Sequence, residues 1–273
     1  MDTKIDSIIL ITGATDGIGK ESAIEFAAMG AAVIVHGRTA ERAQAAVDDV
    51  KKISGSAKVE TAVADFTSLT QVRSMSSDIS KRFTRLDVLV NNAGVFAKQR
   101  VMTEDGLEST FQINHLAHFL LTHELLGLLK QSAPARIISV SSMAHSNAKL
   151  DFGNLQGEKK FGGYAAYSLS KLANILFTYE LADRLQGAGV TVNCLHPGVI
   201  ATKLLRAGFG GFGGSSVKRG AETIVFLATS SKGAAATGKY FVNREAVESS
   251  LLTYNRSMRK EFWSVSERLA GIT

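Results

Sequence analysis

A tyrosine and a lysine four residues apart, Tyr167 and Lys171, are the side chains whose spacing most directly suggests chemistry. On a helix, residues at this spacing share a face. Because a positive charge favours a phenolate, we expect Lys171 to lower the pKa of Tyr167, which could then act as a general acid or base. By itself such a pair more often marks a solvated helix face, so its meaning depends on other parts of the chain.

A glycine-rich turn near the N-terminus indicates a nucleotide site. Its glycines are spaced G-x-x-x-G-x-G between an apolar run and a segment with helical spacing. Glycine lets the backbone turn sharply and approach a pyrophosphate, whose charge is attracted by the helix N-terminus. We predict that this turn binds a dinucleotide through Gly13, Thr15, Asp16, Gly17, Ile18 and Gly19.

The end of the second apolar run bears on the choice of cofactor. No Asp or Glu occurs between residues 31 and 40, although a carboxylate here would bind the 2′-hydroxyl of NAD. Arg38 instead offers a planar guanidinium that suits a 2′-phosphate. We therefore expect NADP(H) to be favoured over NAD(H). The alternative is that Arg38 stacks on adenine or faces solvent.

Apolar runs and helical segments alternate along the chain. The runs are residues 7–12, 32–36, 59–64, 86–91, 135–140, 190–195 and 239–242. The helical segments are residues 19–29, 40–53, 69–83, 107–129 and 164–186. Continuous apolar runs are typical of parallel strands covered on both faces. The pattern predicts a single-domain, Rossmann-type doubly wound α/β fold, with an about seven-stranded parallel sheet flanked by helices. We assign residues 1–140 to a cofactor half and 141–273 to a catalytic and substrate half.

Composition excludes several classes of protein. The chain has 273 residues, of which 45% are hydrophobic and 21% charged, as in one globular domain. It shows neither a signal core nor an apolar run of about 20 residues, so we expect no membrane span and a cytoplasmic protein. The net charge is +6, but the basic residues are scattered, which argues against a nucleic-acid partner. The single cysteine, Cys194, excludes an internal disulfide.

Taken in order, these motifs resemble the short-chain dehydrogenase/reductase family. The segment 12–19 resembles its cofactor turn, and Asn91-Asn92-Ala93-Gly94 resembles the signature that follows its fourth strand. The other matching positions, in chain order, are Asp65 at the adenine ring, Asn114 on a helix, Ser142 after the fifth strand, Tyr167 with Lys171, and the stretch 197–202 at the nicotinamide.

The resemblance implies a hydride transfer between NADP(H) and a carbonyl or alcohol, with Tyr167 as the general acid or base. The implied catalytic residues are Asn114, Ser142, Tyr167 and Lys171, with Asn114 holding a water that relays protons to Lys171. The implied cofactor-binding residues beyond the glycine turn are Arg38, Asp65, Asn91, Ala93, Gly94, Tyr167, Lys171, Pro197, Gly198, Val199 and Thr202. Ser142 is chosen over Ser141 by its match to the family pattern.

Several stretches, such as 141–145 and 170–177, are similar to the retinol dehydrogenase branch. This implies a small, lipophilic substrate, such as a retinal-like compound, a steroid, a quinone or an aldehyde. By the same resemblance, helices 107–129 and 164–186 are expected to pair in a homodimer or homotetramer. A cofactor-sensing regulator with little turnover is the alternative function.

Histidines and a glycine-rich segment leave further alternatives open. His115, His118 and His123 lie in one helical stretch, where we expect packing rather than a metal site. His145 could reach the substrate pocket or have no chemical role. The resemblance implies that the glycine-rich, mobile segment 208–214 forms a lid whose Phe209 and Phe212 line an apolar pocket. The alternative is a disordered insert without contacts.

Overall fold

The sheet has eight strands, and seven of them are parallel. The computed structural model describes residues 5–210 and 213–272. The strand order is β3-β2-β1-β4-β5-β6-β7-β8, and only β8 runs antiparallel to its neighbour. The strands are β1 (Ile8–Ile11), β2 (Ala32–Gly37), β3 (Val59–Val63), β4 (Val88–Asn91), β5 (Ala135–Val140), β6 (Val190–His196), β7 (Lys239–Val242) and β8 (Glu245–Val247). The doubly wound α/β prediction is thus confirmed.

The short strand β8 was not predicted, and its surroundings explain why. It has three residues, all exposed, so it carries no apolar pattern. It follows β7 through a tight turn in which Asn243 and Arg244 have positive φ angles of 50° and 69°. Pairing with β7, rather than burial of its side chains, defines this strand.

Helices cover both faces of the sheet. They are α1 (Gly17–Ala28), α2 (Ala40–Ser54), α3 (Leu69–Arg82), α4 (Ser109–Phe111), α5 (Ala117–Gln131), α6 (Gly163–Arg184), α7 (Lys203–Phe209), α8 (Val217–Thr229), α9 (Ser231–Ala235) and α10 (Arg256–Leu269). Leu10 belongs to a core cluster that includes residues of α3, α5, α6 and α10, whereas Ile9 and Ile11 belong to one that includes residues of α1, α2 and α8. Because both faces of β1 are covered, all four of its residues are apolar. Among the helices of the described ranges, none is both long and apolar enough to cross a membrane.

The predicted helix 107–129 is helical from Ser109 to Gln131 but is not α-helical throughout. A π-helical segment, Gln112–Leu116, separates α4 from α5. Glu108 caps the N-terminus of α4, where its carboxylate accepts hydrogen bonds from the amides of Thr110 and Phe111, at 2.9 and 2.8 Å. Such π segments often occur at functional sites, and this one contains Asn114.

Helix α10 covers the helices that were expected to pair between subunits. Every residue from Tyr167 to Ala182 on α6 is buried within the chain itself. Trp263 of α10 stacks on Phe177 of α6 at 5.9 Å and meets the edge of Phe119 of α5 at 4.8 Å. Homo-oligomerisation stays a prediction, but these covered faces are not available for it.

Candidate active site

A cleft of about 610 Å³ opens at the carboxyl ends of the parallel strands. This is the edge at which doubly wound sheets bind ligands. The predicted site residues that line it are Gly13, Thr15, Asp16, Gly17, Ile18, Gly19, Arg38, Asp65, Ala93, Gly94, Ser142, Tyr167, Lys171, Pro197, Gly198, Val199 and Thr202. Two predicted residues, Asn91 and Asn114, are buried and do not line the cleft.

The glycine turn packs so closely on residues 92 and 93 that a side chain would not fit at Gly13 or Gly19. Gly13 has a φ of +62°, and a Cβ there would lie 2.7 Å from the Cα of Ala93. A Cβ on Gly19 would lie 2.5 Å from Asn92 Nδ2. Asp16 caps α1 and accepts a hydrogen bond from Gly17 N at 2.8 Å. Gly17 and Gly19 line the cleft at the start of α1 without side chains, and such a helix N-terminus suits a pyrophosphate.

A buried histidine holds this turn in place, and sequence reasoning missed it. His36 Nδ1 accepts a hydrogen bond from Gly13 N at 3.0 Å, so its Nε2 carries the proton and donates to Ala64 O at 3.0 Å. The ring stacks on Phe66 at 4.4 Å. Burial lowers the pKa of His36 to about 4, which keeps the ring neutral. A histidine at a strand end carries no sequence signal for this role.

A second buried histidine joins the turn to the π segment. His118 Nδ1 lies 3.1 Å from the carbonyl oxygen of Asn114, which can only accept, so His118 donates here. Its Nε2 then accepts from the hydroxyl of Thr12 at 2.8 Å. Thr12 Oγ1 in turn accepts from the amides of Asn92 and Ala93, at 2.8 and 2.9 Å. This network fixes the start of the 91–94 signature beside the glycine turn.

His115, His118 and His123 form no metal site in the part of the chain that the structure describes. His115 is buried, and its Nε2 lies 3.0 Å from the hydroxyl of Ser266 on α10. His118 belongs to the network above, and His123 is exposed. The two buried histidines are thus held by hydrogen bonds within the chain.

Asn114 and Asn91 support the cleft from beneath it. Asn114 Oδ1 accepts from Val95 N at 2.8 Å, and its Nδ2 donates to Val95 O and Ser170 Oγ, both at 3.0 Å. Its side chain therefore fastens the π segment to α6 and to the loop at Val95. Asn91 donates to Thr122 Oγ1 at 3.0 Å, away from the cleft. Its neighbour Asn92 lines the cleft instead and donates to Thr12 O at 2.8 Å.

Ser142, Tyr167 and Lys171 meet at the end of the cleft that lies away from Arg38. Ser142 Oγ accepts from Ala144 N at 3.2 Å and is hydrogen bonded to Tyr167. Lys171 Nζ lies 5.5 Å from the centre of the Tyr167 ring and donates to Val140 O at 3.1 Å. Ser141 points elsewhere, since its hydroxyl donates to Lys171 O at 2.7 Å. Ser142, and not Ser141, is therefore the serine that is hydrogen bonded to Tyr167.

The pKa shifts at this end differ from the expectation. Burial raises the pKa of Tyr167 to about 12, although the hydrogen bond with Ser142 acts in the opposite direction. Burial also lowers the pKa of Lys171, to about 8. The predicted lowering of the Tyr167 pKa by Lys171 is therefore wrong for the net shift. The free-energy cost of burying a phenolate exceeds the stabilisation that neighbouring groups give it. Tyr167 keeps its proton at neutral pH.

Two guanidinium groups lie at the opposite end. Arg38 lines the cleft with its side chain 62% exposed, and its Nε lies 4.0 Å from Asp65 Oδ2. Arg42, in the first turn of α2, lines the same cleft and was not predicted. Asp65 Oδ1 is occupied by the amide and hydroxyl of Thr67, at 3.0 and 2.8 Å.

Comparison with known proteins identifies the family. The family model described as short chain dehydrogenase matches residues 7–209. The chain belongs to the short-chain dehydrogenase family. Retinol dehydrogenase 14 of Homo sapiens is 38% identical over 289 residues, covering 97% of this chain and 86% of that protein. Retinol dehydrogenase 13 of Homo sapiens is 39% identical over 279 residues, covering 97% and 84%.

Solved structures extend the comparison to the fold of this short-chain dehydrogenase. An uncharacterized protein from Mycobacterium Paratuberculosis superimposes with a TM-score of 0.82 and 30% identity, covering 99% of this chain and 97% of its own. The Pseudomonas aeruginosa RhlG/NADP active-site complex gives a TM-score of 0.72 and 26% identity, covering 88% and 95%. A short chain dehydrogenase from Escherichia coli CFT073, complexed with NADPH, gives 0.74 and 25%, covering 90% and 100%.

The short helix α7 borders the cleft of this short-chain dehydrogenase and leads into the segment 208–214, which was expected to be a lid. Lys203, at the start of α7, forms a 2.5 Å ion pair with Asp16 of the glycine turn. An isolated β-bridge between Ile200 and Ser215 joins the residues on either side of this region. Phe212 and the side chain of Phe209 lie outside the described residues, so the lid role stays a prediction.

Proposed function

We propose that this chain is an oxidoreductase that transfers a hydride between NADP(H) and the carbonyl or alcohol of a small, lipophilic substrate. The observation that carries the proposal is one continuous cleft with a dinucleotide turn at one end and Ser142, Tyr167 and Lys171 at the other. The substrate classes proposed are retinal-like compounds, steroids, quinones and aldehydes. A cytoplasmic location stays a prediction.

The chemistry follows from the protonation states of the site. A bound NADPH would supply the hydride to the carbonyl carbon. Tyr167, protonated because burial raises its pKa to about 12, donates its proton to the carbonyl oxygen. Ser142 hydrogen bonds to the same oxygen as negative charge develops there. A preorganised donor of this kind typically lowers the barrier by about 2.7–4 kcal/mol.

Lys171 supports the tyrosine rather than exchanging protons with the substrate. Its pKa of about 8 leaves it mostly charged at neutral pH. At 5.5 Å from the ring, this charge stabilises the phenolate that remains after proton transfer. In alcohol oxidation Tyr167 would have to begin as that phenolate. The raised pKa of Tyr167 therefore favours carbonyl reduction.

The preference for NADP(H) is supported by charge. Arg38 and Arg42 both line the end of the cleft that follows β2, where a ribose 2′-phosphate would lie. A guanidinium can bind a phosphate through two hydrogen bonds. Two of the structural neighbours are complexes with NADP or NADPH.

The lipophilic substrate is supported by the rim of the cleft. Met143, Tyr164 and Val199 line the cleft and remain 57%, 44% and 57% exposed. Exposed apolar side chains that gather at a pocket commonly mark a binding surface. The names of the curated relatives, which are retinol dehydrogenases, point to the same class.

The test is turnover of retinal, steroid, quinone and aldehyde carbonyls with NADPH. Loss of the general acid in Tyr167→Phe should lower kcat by about 10²–10⁴-fold, while the Kd for NADPH changes little. Tyr164→Phe, on the same helix, keeps the apolar ring at the rim and removes a hydroxyl that accepts from Asn147 Nδ2, so as the matched control it should keep kcat within a few-fold. Near-wild-type kcat in Tyr167→Phe would refute the assignment. NADPH binding without turnover of any carbonyl would favour a cofactor-sensing regulator.

A further inference from the structure

His145 is a buried histidine next to the proposed catalytic serine. It lies in the 3-10 helix Met143–Asn147, which Ser142 caps, and its ring is 3% exposed. The ring packs against the edge of Tyr240 at 5.0 Å. None of the steps proposed above uses this residue.

The contacts of His145 determine its tautomer. Its Nδ1 lies 2.7 Å from the carbonyl oxygen of Ser142, which can only accept, so Nδ1 carries the proton. Its Nε2 lies 3.1 Å from the amide of Ser250, which can only donate, so Nε2 accepts. Both nitrogens therefore have partners of fixed polarity. Burial lowers the pKa of His145, in agreement with a neutral ring.

The ring completes the set of hydrogen bonds that hold Ser142. The serine carbonyl also accepts from His145 N at 3.2 Å. Its Oγ accepts from Ala144 N, which leaves the hydroxyl hydrogen for another acceptor. A serine held at both its carbonyl and its hydroxyl oxygen has little freedom to turn away from Tyr167.

The other side of the ring reaches the C-terminal segment, residues 249–254. The Ser249 hydroxyl lies 2.8 Å from the hydroxyl of Tyr179, which is on α6 with Tyr167. Ser249 also lies 2.7 Å from Thr253 Oγ1. Through Ser250, His145 thus connects the strand end that carries Ser142 to a segment fastened to the helix that carries Tyr167.

We propose that His145 is a positioning residue that sets Ser142 against Tyr167 by holding the serine carbonyl, while the bond from Ser250 orients the ring. This inference rests on the proposed reductase function. His145 acts through Ser142 and touches no reacting atom. Its loss therefore lowers kcat and leaves the Kd for NADPH unchanged, because the glycine turn and Arg38 lie at the other end of the cleft.

Three substitutions of His145 distinguish the effects of the two hydrogen bonds made by its ring. His145→Phe removes both. His145→Asn places an amide N–H near the position of Nδ1 and keeps the bond to Ser142, whereas His145→Gln places a carbonyl near Nε2 and keeps the bond to Ser250. We expect kcat to fall about tenfold in His145→Phe, the size of one lost hydrogen bond. The Asn variant should recover most of the rate, and the Gln variant should not.

Hydrogen exchange gives a readout that needs no substrate. The Ser250 amide should exchange faster than wild type in the Phe and Asn variants and at the wild-type rate in the Gln variant. His123→Asn, on an exposed face of α5, is the matched control and should change neither the exchange nor kcat.

The outcomes separate this inference from the proposed function. If wild type reduces a carbonyl and His145→Phe keeps its kcat, or if exchange at Ser250 is unchanged in that variant, the positioning role is overturned. If wild type reduces no carbonyl, the proposed function fails, and the exchange measurement still decides whether His145 holds the segment.

Discussion

Arg38→Ala tests the proposed cofactor preference most directly. Arg38 lines the ribose end of the cleft, with its Nε 4.0 Å from Asp65 Oδ2. A hydrogen bond to a charged group contributes about 1.5–3 kcal/mol. Because the Arg38 side chain is 62% exposed, solvent screening places it at the lower end, about 1.5 kcal/mol. This corresponds to a roughly tenfold rise in the Kd for NADPH.

The binding of NADH provides the internal comparison. It lacks the 2′-phosphate, so its Kd should change less than about twofold in Arg38→Ala. Both values can be measured by titration of cofactor fluorescence at fixed ionic strength. Arg38→Ala combined with Arg42→Ala should weaken NADPH further, since both guanidinium groups line the same end of the cleft.

A charge control is needed because the chain carries a net charge of +6, which attracts any phosphate compound. Arg268→Ala removes the same charge from an exposed position on α10 that does not line the cleft. It should leave both Kd values unchanged. Equal weakening of NADPH and NADH in Arg38→Ala, or equal effects of Arg38→Ala and Arg268→Ala, would refute the assigned role of Arg38.

Two further predictions concern the lysine and the glycine turn. Lys171 has a pKa lowered to about 8 and Tyr167 one raised to about 12, so kcat/KM for NADPH should fall above about pH 8 as the lysine loses its charge. A profile that stays flat to pH 10 would contradict this order of titration. Gly13→Ala should destabilise the fold in urea more than Gly55→Ala does and should weaken NADPH binding. Both glycines have positive φ, but only at Gly13 would the Cβ meet backbone, at 2.7 Å from Ala93. Equal losses at the two positions would show that backbone strain alone matters.

Much of the fold could be predicted because its signals are local. Most of the seven parallel strands are rich in apolar and β-branched residues, and the glycine turn follows the first of them directly. The edge strand β8 and the π segment around Asn114 carry no such pattern. Both depend on what neighbouring elements offer, namely the free edge of β7 and the contacts with Val95 and Ser170.

The sequence by itself determined which side chains are present and in which order, and this was enough to indicate the family and the reaction class. Only the tertiary structure decided the state of those side chains. Burial raises the pKa of Tyr167 against the expectation from the spacing of Lys171, because the desolvation of a phenolate depends on residues distant in the chain. In the same way, His36 and His145 acquire fixed tautomers from partners 28 and 105 residues away. Spacing along one helix places two groups together, whereas burial and hydrogen-bond partners arise only when the whole chain has folded.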